Sequence, residues 1–217
     1  MRAYWRLPPG AIMNLAVVIE DAGGIIMRCD FGTRFIFGFS RARKTLPPLF
    51  YLNSGLLPDQ WRWTLSHELG HIVMHTNSDP YDEMELDADA FAGEFLMPTH
   101  EIKPQIVGLS FQKLAGLKRI WKVSMQAILM HAYRIKAISD RQRRYMFMQL
   151  SKAGYRMREP EALDPPVEEP RLLAEILAFH RTELGYSDAD LRATLAINEG
   201  DFRAWYASPK ERLRIVG

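Results

Sequence analysis

The pentapeptide His67-Glu68-Leu69-Gly70-His71 constrains this chain more than any other feature of its sequence. Histidines four residues apart lie one turn from each other on the same helical face, so both imidazoles can bind one metal ion at about 2.1 Å. Glu68 is offset round the helix, outside the reach of the ion but within reach of a water that the ion activates. The pattern predicts a metal site with Glu68 as its general base. The alternative is a solvated helix with two surface histidines.

A third ligand must come from elsewhere, because a catalytic zinc keeps three protein ligands and one open position. His75 continues the spacing but lies about 12 Å along the axis from His67, so we expect it to pack or to face the substrate. Further along, Glu85 and Asp89 share a helical face. One should bind the metal while the other accepts the free ring N–H of a histidine ligand. The competing interpretation is a solvated acidic face.

The sequence around these residues predicts an α+β fold. Apolar spacing indicates helices over 10–22, 58–75 and 81–97. Short runs rich in Ile, Phe and Tyr indicate three strands, at 25–29, 34–39 and 49–53. The third strand directly precedes the helix of the histidine pair. This order resembles that of the zincin peptidases, in which the corresponding edge strand aligns the substrate, and it implies that strand 49–53 pairs with an extended substrate backbone.

Two segments resemble the ImmA/IrrE-type metallopeptidases, bacterial and phage proteins related to the zincins. They are WRWTLSHELGHIVMH at 61–75 and ELDADAFAGEFLMP at 85–98, and the resemblance spans about residues 10–158. It implies a zincin-like peptidase domain at 1–100 with a small three-stranded sheet. It also implies a bound Zn²⁺, or another divalent metal such as Mn²⁺.

The resemblance also implies a role for each residue of the site. The paired histidines and a glutamate early in the second motif bind the metal, and the glutamate between the histidines is the base. By position these are His67, His71, Glu85 and Glu68. Many relatives have Glu where this chain has Asp87, which makes Asp87 the alternative third ligand, and the helix-face argument favours Glu85. Candidates for stabilising the transition state are Tyr81, His75 and His100.

Such relatives are often encoded beside a helix-turn-helix repressor that they cleave, so a repressor of this kind is the implied substrate. The alternative is a catalytically silent regulator that binds DNA or the repressor. Residues 101–158 are expected to form a helical region packed on the peptidase domain, and 103–158 contain thirteen Lys and Arg but one acid. Residues 114–138 are interpreted either as a helix-turn-helix that contacts DNA or as plain helical core, because a basic surface does not establish sequence readout.

The rest of the chain indicates a linker, a tail and a compartment. Residues 159–171 contain four prolines and five acids and predict a linker, followed by a small helical tail at 172–217. The net charge of −5 over 159–217 argues against DNA binding there. Cys29 is the single cysteine, which excludes an internal disulfide and fits a reducing compartment. Because no run is apolar enough for a signal peptide or a membrane span, we expect a cytoplasmic protein.

Overall fold

The computed structural model describes residues 1–75 and 81–206. These residues form three strands, ten α-helices and a 3₁₀ turn at Glu161–Leu163, which is an α+β architecture. The chain divides into two compact units, Met1–Glu169 and Pro170–Gly217. Within the described ranges, no helix is both long and apolar enough to cross a membrane.

The sheet contains β1 (Ile25–Cys29), β2 (Gly38–Arg43) and β3 (Leu46–Asn53) in the order β1-β3-β2. The central strand β3 runs parallel to β1 and antiparallel to β2. Both of its edges are therefore paired, and the expectation that strand 49–53 pairs with substrate is wrong. The open edge next to the histidine helix belongs to β2.

Strand β2 begins four residues later than expected, at Gly38 rather than at residue 34. A Cβ at Gly38 would lie 2.7 Å from Leu52 Cδ2 and 2.8 Å from the Tyr51 carbonyl oxygen, so this close crossing requires glycine. The apolar residues before it, which suggested a strand, are exposed instead: Phe35, Ile36 and Phe37. The prediction of a strand at 34–39 is therefore wrong for most of its length.

Helices α1 (Leu15–Asp21) and α2 (Pro58–Met74) lie against the sheet, and α3 (Tyr81–Leu96) packs on α2. Helix α1 is shorter than the expected 10–22 because the Asn14 side chain caps it, accepting a hydrogen bond from Val17 N at 3.1 Å. Gly70 decides the spacing of α2 and α3. A Cβ there would lie 3.1 Å from Ala88 Cα and 3.2 Å from Phe91, so the two helices approach as closely as their backbones allow.

The basic region consists of α4 (Thr99–Ile106), α5 (Phe111–Trp121), α6 (Met125–Arg134) and α7 (Asp140–Lys152). Serines 110, 124 and 139 cap the last three, as the polar residues before each apolar run indicate. The apolar side chains of α5 and α6 join one hydrophobic core with those of α2 and α3: Leu114, Leu117, Trp121, Met125, Ile128 and Leu129. Helical core packing accounts for these residues.

Residues 159–169 belong to the first unit and pack within it instead of forming a free linker. The Lys118 ammonium is fully buried and lies 2.9 Å from Glu159 and 3.4 Å from Asp164, and it also pairs with Asp59. Glu168 pairs with the buried guanidinium of Arg62 on α2. The observed division of the chain therefore falls after Glu169 rather than after residue 158.

The second unit contains three short helices, α8 (Leu172–Thr182), α9 (Asp188–Leu195) and α10 (Glu199–Tyr206). Their small core is formed by Leu177, Leu191 and Phe202. Ser187 and Asp190 form a reciprocal capping pair at the start of α9.

Candidate metal centre

Three side chains from α2 and α3 direct ligand atoms at a common point. The Nε2 atoms of His67 and His71 lie 3.0 Å apart. Glu85 Oε2 lies 3.2 Å from His67 Nε2, and Glu85 Oε1 lies 3.3 Å from His71 Nε2. Ligands at about 2.0–2.1 Å around a tetrahedral zinc are about 3.4 Å apart, so this group fits one divalent ion. Among the described residues, no other trio of His, Cys, Asp or Glu meets so closely.

Asp87 does not belong to this group, although it is only two residues from Glu85. Its carboxylate lies 3.8 Å from His75 Nε2 and 59% of its side chain is exposed. Residues two apart on a helix point about 200° away from each other, which is why Glu85 and Asp87 cannot serve the same site.

Asp89 lies behind His67, on the side away from the ligand atoms. Its Oδ1 is 3.0 Å from His67 Nδ1, the ring nitrogen that does not face Glu85. Burial lowers the pKa of His67, but the hydrogen bond and charge of Asp89, with Glu68 and Glu85, outweigh it and raise that pKa. Burial raises the pKa of Asp89, and the contacts with His67 and Arg134 reverse this and lower it.

Arg134, on α6, ties the basic region to this carboxylate. Its guanidinium donates to the Asp89 carbonyl oxygen at 2.6 Å, and a second nitrogen lies 4.0 Å from Asp89 Oδ2. His131, three residues earlier on α6, packs closely against Gly93 of α3. A Cβ on Gly93 would lie 2.5 Å from the Nδ1 atom of the His131 ring. Helix α6 thus fixes the position of α3. Sequence motifs gave no sign of either residue.

His75 contacts the outer nitrogen of His71. The two Nδ1 atoms are 3.1 Å apart, and only 5% of the His75 side chain is exposed. His75 is therefore packed behind a candidate ligand and does not face a cleft. Burial, followed by the charge of His67, lowers the pKa of His71.

The Glu68 carboxylate lies between α2 and the open edge of the sheet. Its Oε2 accepts a hydrogen bond from the Ser40 hydroxyl of β2 at 2.7 Å, and Glu68 is only 8% exposed. Sequence reasoning missed Ser40 because no motif marks it. Of the other candidates, His100 is 81% exposed and contacts Glu101 instead. The side chain of Tyr81 lies outside the described part of the chain.

Residues 20–133 match the family model of a peptidase family described as the IrrE N-terminal-like domain. This match covers more than half of the chain. The chain belongs to this family. None of the curated proteins matches it. Membership confirms the resemblance to the ImmA/IrrE-type peptidases and indicates a metallopeptidase-type function with a divalent metal. The matched IrrE-like range contains both α2 and α3, hence every residue of the candidate metal group.

Proposed function

We propose that the protein is a zinc-dependent endopeptidase with a zincin-like active site, working in the cytoplasm. The observation that carries this proposal is the convergence of His67, His71 and Glu85 on one point, with the Glu68 carboxylate beside an open strand edge. Ligand atoms 3.0–3.3 Å apart suit a small ion such as Zn²⁺, and Mn²⁺ is the alternative.

Each residue has a separate task in this mechanism. His67, His71 and Glu85 would hold the ion, which when bound would supply a Lewis acid for the scissile carbonyl and lower the pKa of water towards about 7. Glu68 takes the proton of the attacking water and gives it to the leaving amine. The Ser40 hydroxyl holds the Glu68 carboxylate towards β2. Asp89 keeps the proton of His67 on Nδ1, so that Nε2 is free for the metal.

The substrate pairs with β2 as an added strand. An outer strand has one row of unpaired N–H and C=O groups that a peptide in extended conformation can satisfy. Ser40 lies in this strand and contacts the proposed base, so a peptide paired here passes directly over Glu68. This assigns to β2 the role that the sequence had suggested for strand 49–53.

We further propose a helix-turn-helix repressor as the natural substrate, with the basic region at 103–158 approaching DNA that the repressor occupies. This rests on the family and on charge. This segment contains thirteen basic residues and one acid. Lys118 is buried in ion pairs and is not available to phosphates. A catalytically silent regulator is the competing outcome.

Glu68→Gln tests the catalytic claim because it keeps the size of the side chain but removes the carboxylate that accepts the proton. The variant should retain its metal and fold while cleavage falls by on the order of 10²–10⁴. Fragments from a proteome-derived peptide library, and from a co-incubated repressor, are measured by mass spectrometry with and without chelator. Glu83→Gln, an exposed glutamate on α3, is the matched control.

Two outcomes count against the proposal. If metal-loaded wild-type protein leaves both the peptides and the repressor intact, the silent-regulator alternative replaces it. If wild type and Glu68→Gln cut equally, another group or a contaminating protease is responsible.

A further inference from the structure

The outer face of β2 and the loop before it combine exposed aromatic rings with positive charge. Five of the nine residues at 31–39 are large and apolar, and Phe35, Phe37 and Phe39 are 89%, 54% and 43% exposed. Between residues 31 and 58 the chain has four basic residues and no acid. Exposed apolar surface of this kind commonly marks a contact site.

Phe39 and Arg41 project from the same face of β2. Gly38 and Ser40 face α2, since Gly38 approaches Thr64 and Ser40 contacts Glu68. Strand side chains alternate between faces, so Phe39 and Arg41 point the other way, before the irregularity that follows Arg41. The two residues are therefore neighbours along one row, on the face of β2 opposite to the one that Ser40 and the proposed base occupy.

The contacts of Phe39 and the exposure of Arg41 define the chemistry of this row. The Phe39 ring stacks on Tyr51 at 4.5 Å between centroids and lies 5.8 Å from Phe31, which fixes an aromatic platform. Arg41 is exposed, and within residues 1–75 and 81–206 no group forms an ion pair or hydrogen bond with its guanidinium. The row thus offers one apolar surface and one unpaired cation.

We propose that Phe39 and Arg41 select the substrate, and that the preferred segment carries a large apolar side chain two residues from an acidic one. This rests on the proposed function, because pairing with β2 puts substrate side chains of one face directly opposite these two residues. Cross-strand aromatic–apolar and opposite-charge pairs are both favourable. The order of the two substrate residues depends on whether the segment runs parallel or antiparallel to β2.

A second copy of the chain fits this edge less well than an acidic segment. Pairing of two β2 edges would bring the arginines of both copies to one face, and like charges across strands are destabilising. The charge of the edge therefore favours a substrate with the opposite sign.

The test uses the full-length, zinc-loaded chain and a proteome-derived peptide library. Cleavage sites read by mass spectrometry should show an acid and a large apolar residue at a spacing of two. Arg41→Glu should replace the preference for the acid with one for Lys or Arg, changing the relative cleavage of acidic and basic sites by about 5–20-fold. Phe39→Ser should remove the apolar preference alone. Arg6→Glu, a charge reversal at an exposed residue outside both the site and the basic region, is the matched control.

The same library is also passed over immobilised Glu68→Gln chain, and the retained peptides are identified. Retention of acidic–apolar peptides supports the inference, whether or not the wild-type protein cuts them. Absence of cleavage by the wild-type protein would refute only the peptidase claim. Cleavage without the paired preference, or an identical profile for Arg41→Glu, overturns the inference and leaves the peptidase claim intact. If neither cleavage nor selective retention is observed, both the inference and the peptidase claim are overturned.

Discussion

Replacement of Glu168 should destabilise the first unit far more than replacement of its neighbour Glu169. Glu168 is 6% exposed, pairs with the 1% exposed guanidinium of Arg62, and accepts hydrogen bonds from Leu15 N at 2.5 Å and Ala16 N at 3.0 Å. Glu169 is 64% exposed and pairs with Arg28 at 2.7 Å. Two adjacent glutamates thus make one buried and one surface ion pair.

The expected magnitudes follow from burial. Removing one partner of a buried pair leaves an uncompensated charge and costs about 3–5 kcal/mol. At roughly 2–4 °C per kcal/mol for a protein of this size, Glu168→Ala should lower Tm by about 6–20 °C. Glu169→Ala removes a solvated pair and should cost no more than about 1 kcal/mol. Glu168→Gln keeps hydrogen-bond acceptors for the first turn of α1. It should therefore be more stable than Glu168→Ala by about 1 kcal/mol, the contribution of a helix cap.

Urea unfolding followed by tryptophan fluorescence measures this difference. Four of the five tryptophans lie within residues 1–169, so the signal reports mainly on the first unit. The midpoint should fall for Glu168→Ala at an unchanged slope. Equal midpoints for Glu168→Ala and Glu169→Ala would refute the reasoning, because they would show that Arg62 does not depend on Glu168.

Two further predictions concern the boundary and the metal. A chain ending at residue 158 lacks two of the three carboxylates around Lys118 and the carboxylate that pairs with Arg62, so it should not unfold cooperatively. A chain ending at residue 169 keeps all of them and should unfold cooperatively. Calorimetry of both chains decides, and two similar transitions would return 159–169 to a linker. Glu85→Ala should weaken metal binding by more than the roughly 10–100-fold that loss of a supporting group causes, and Asp87→Ala should leave it nearly unchanged. Elemental analysis after dialysis measures this, and equal retention would remove Glu85 from the ligand set.

The helices of the site could be predicted because their information is local. Helices were expected over 58–75 and 81–97, and they occupy Pro58–Met74 and Tyr81–Leu96. A helix alone dictates that His67 and His71 share a face, and that Glu85 shares one with Asp89 but not with Asp87. The spacing of residues along the sequence does not determine how closely α2 and α3 approach each other. That distance depends on Gly70 and on the contacts that α6 makes with α3.

The sheet could not be predicted to the same extent because strand order is not local. Apolar runs indicate strands, but nothing in the run at 49–53 tells whether it lies at the centre or at an edge. The segment that contains Phe35 and Phe37 has the composition of a buried strand, and yet both rings are exposed. Ser40 acquires its contact with Glu68 only through the position of β2, so no sequence pattern marks it.

Composition also misrepresented 159–169, since prolines and acids are typical of linkers. The acids have a different origin, because Lys118 and Arg62 are buried cations and need nearby carboxylates. Asp59 and Arg62 lie in the first turns of α2, upstream of His67 on the same helix. Contacts from 159–169 therefore anchor the amino-terminal half of α2, while α3 holds its carboxy-terminal half through Gly70. The first unit consequently extends past the matched range of 20–133 to Glu169. The support of His67 and His71 comes partly from a segment that contributes no residue to the candidate metal group.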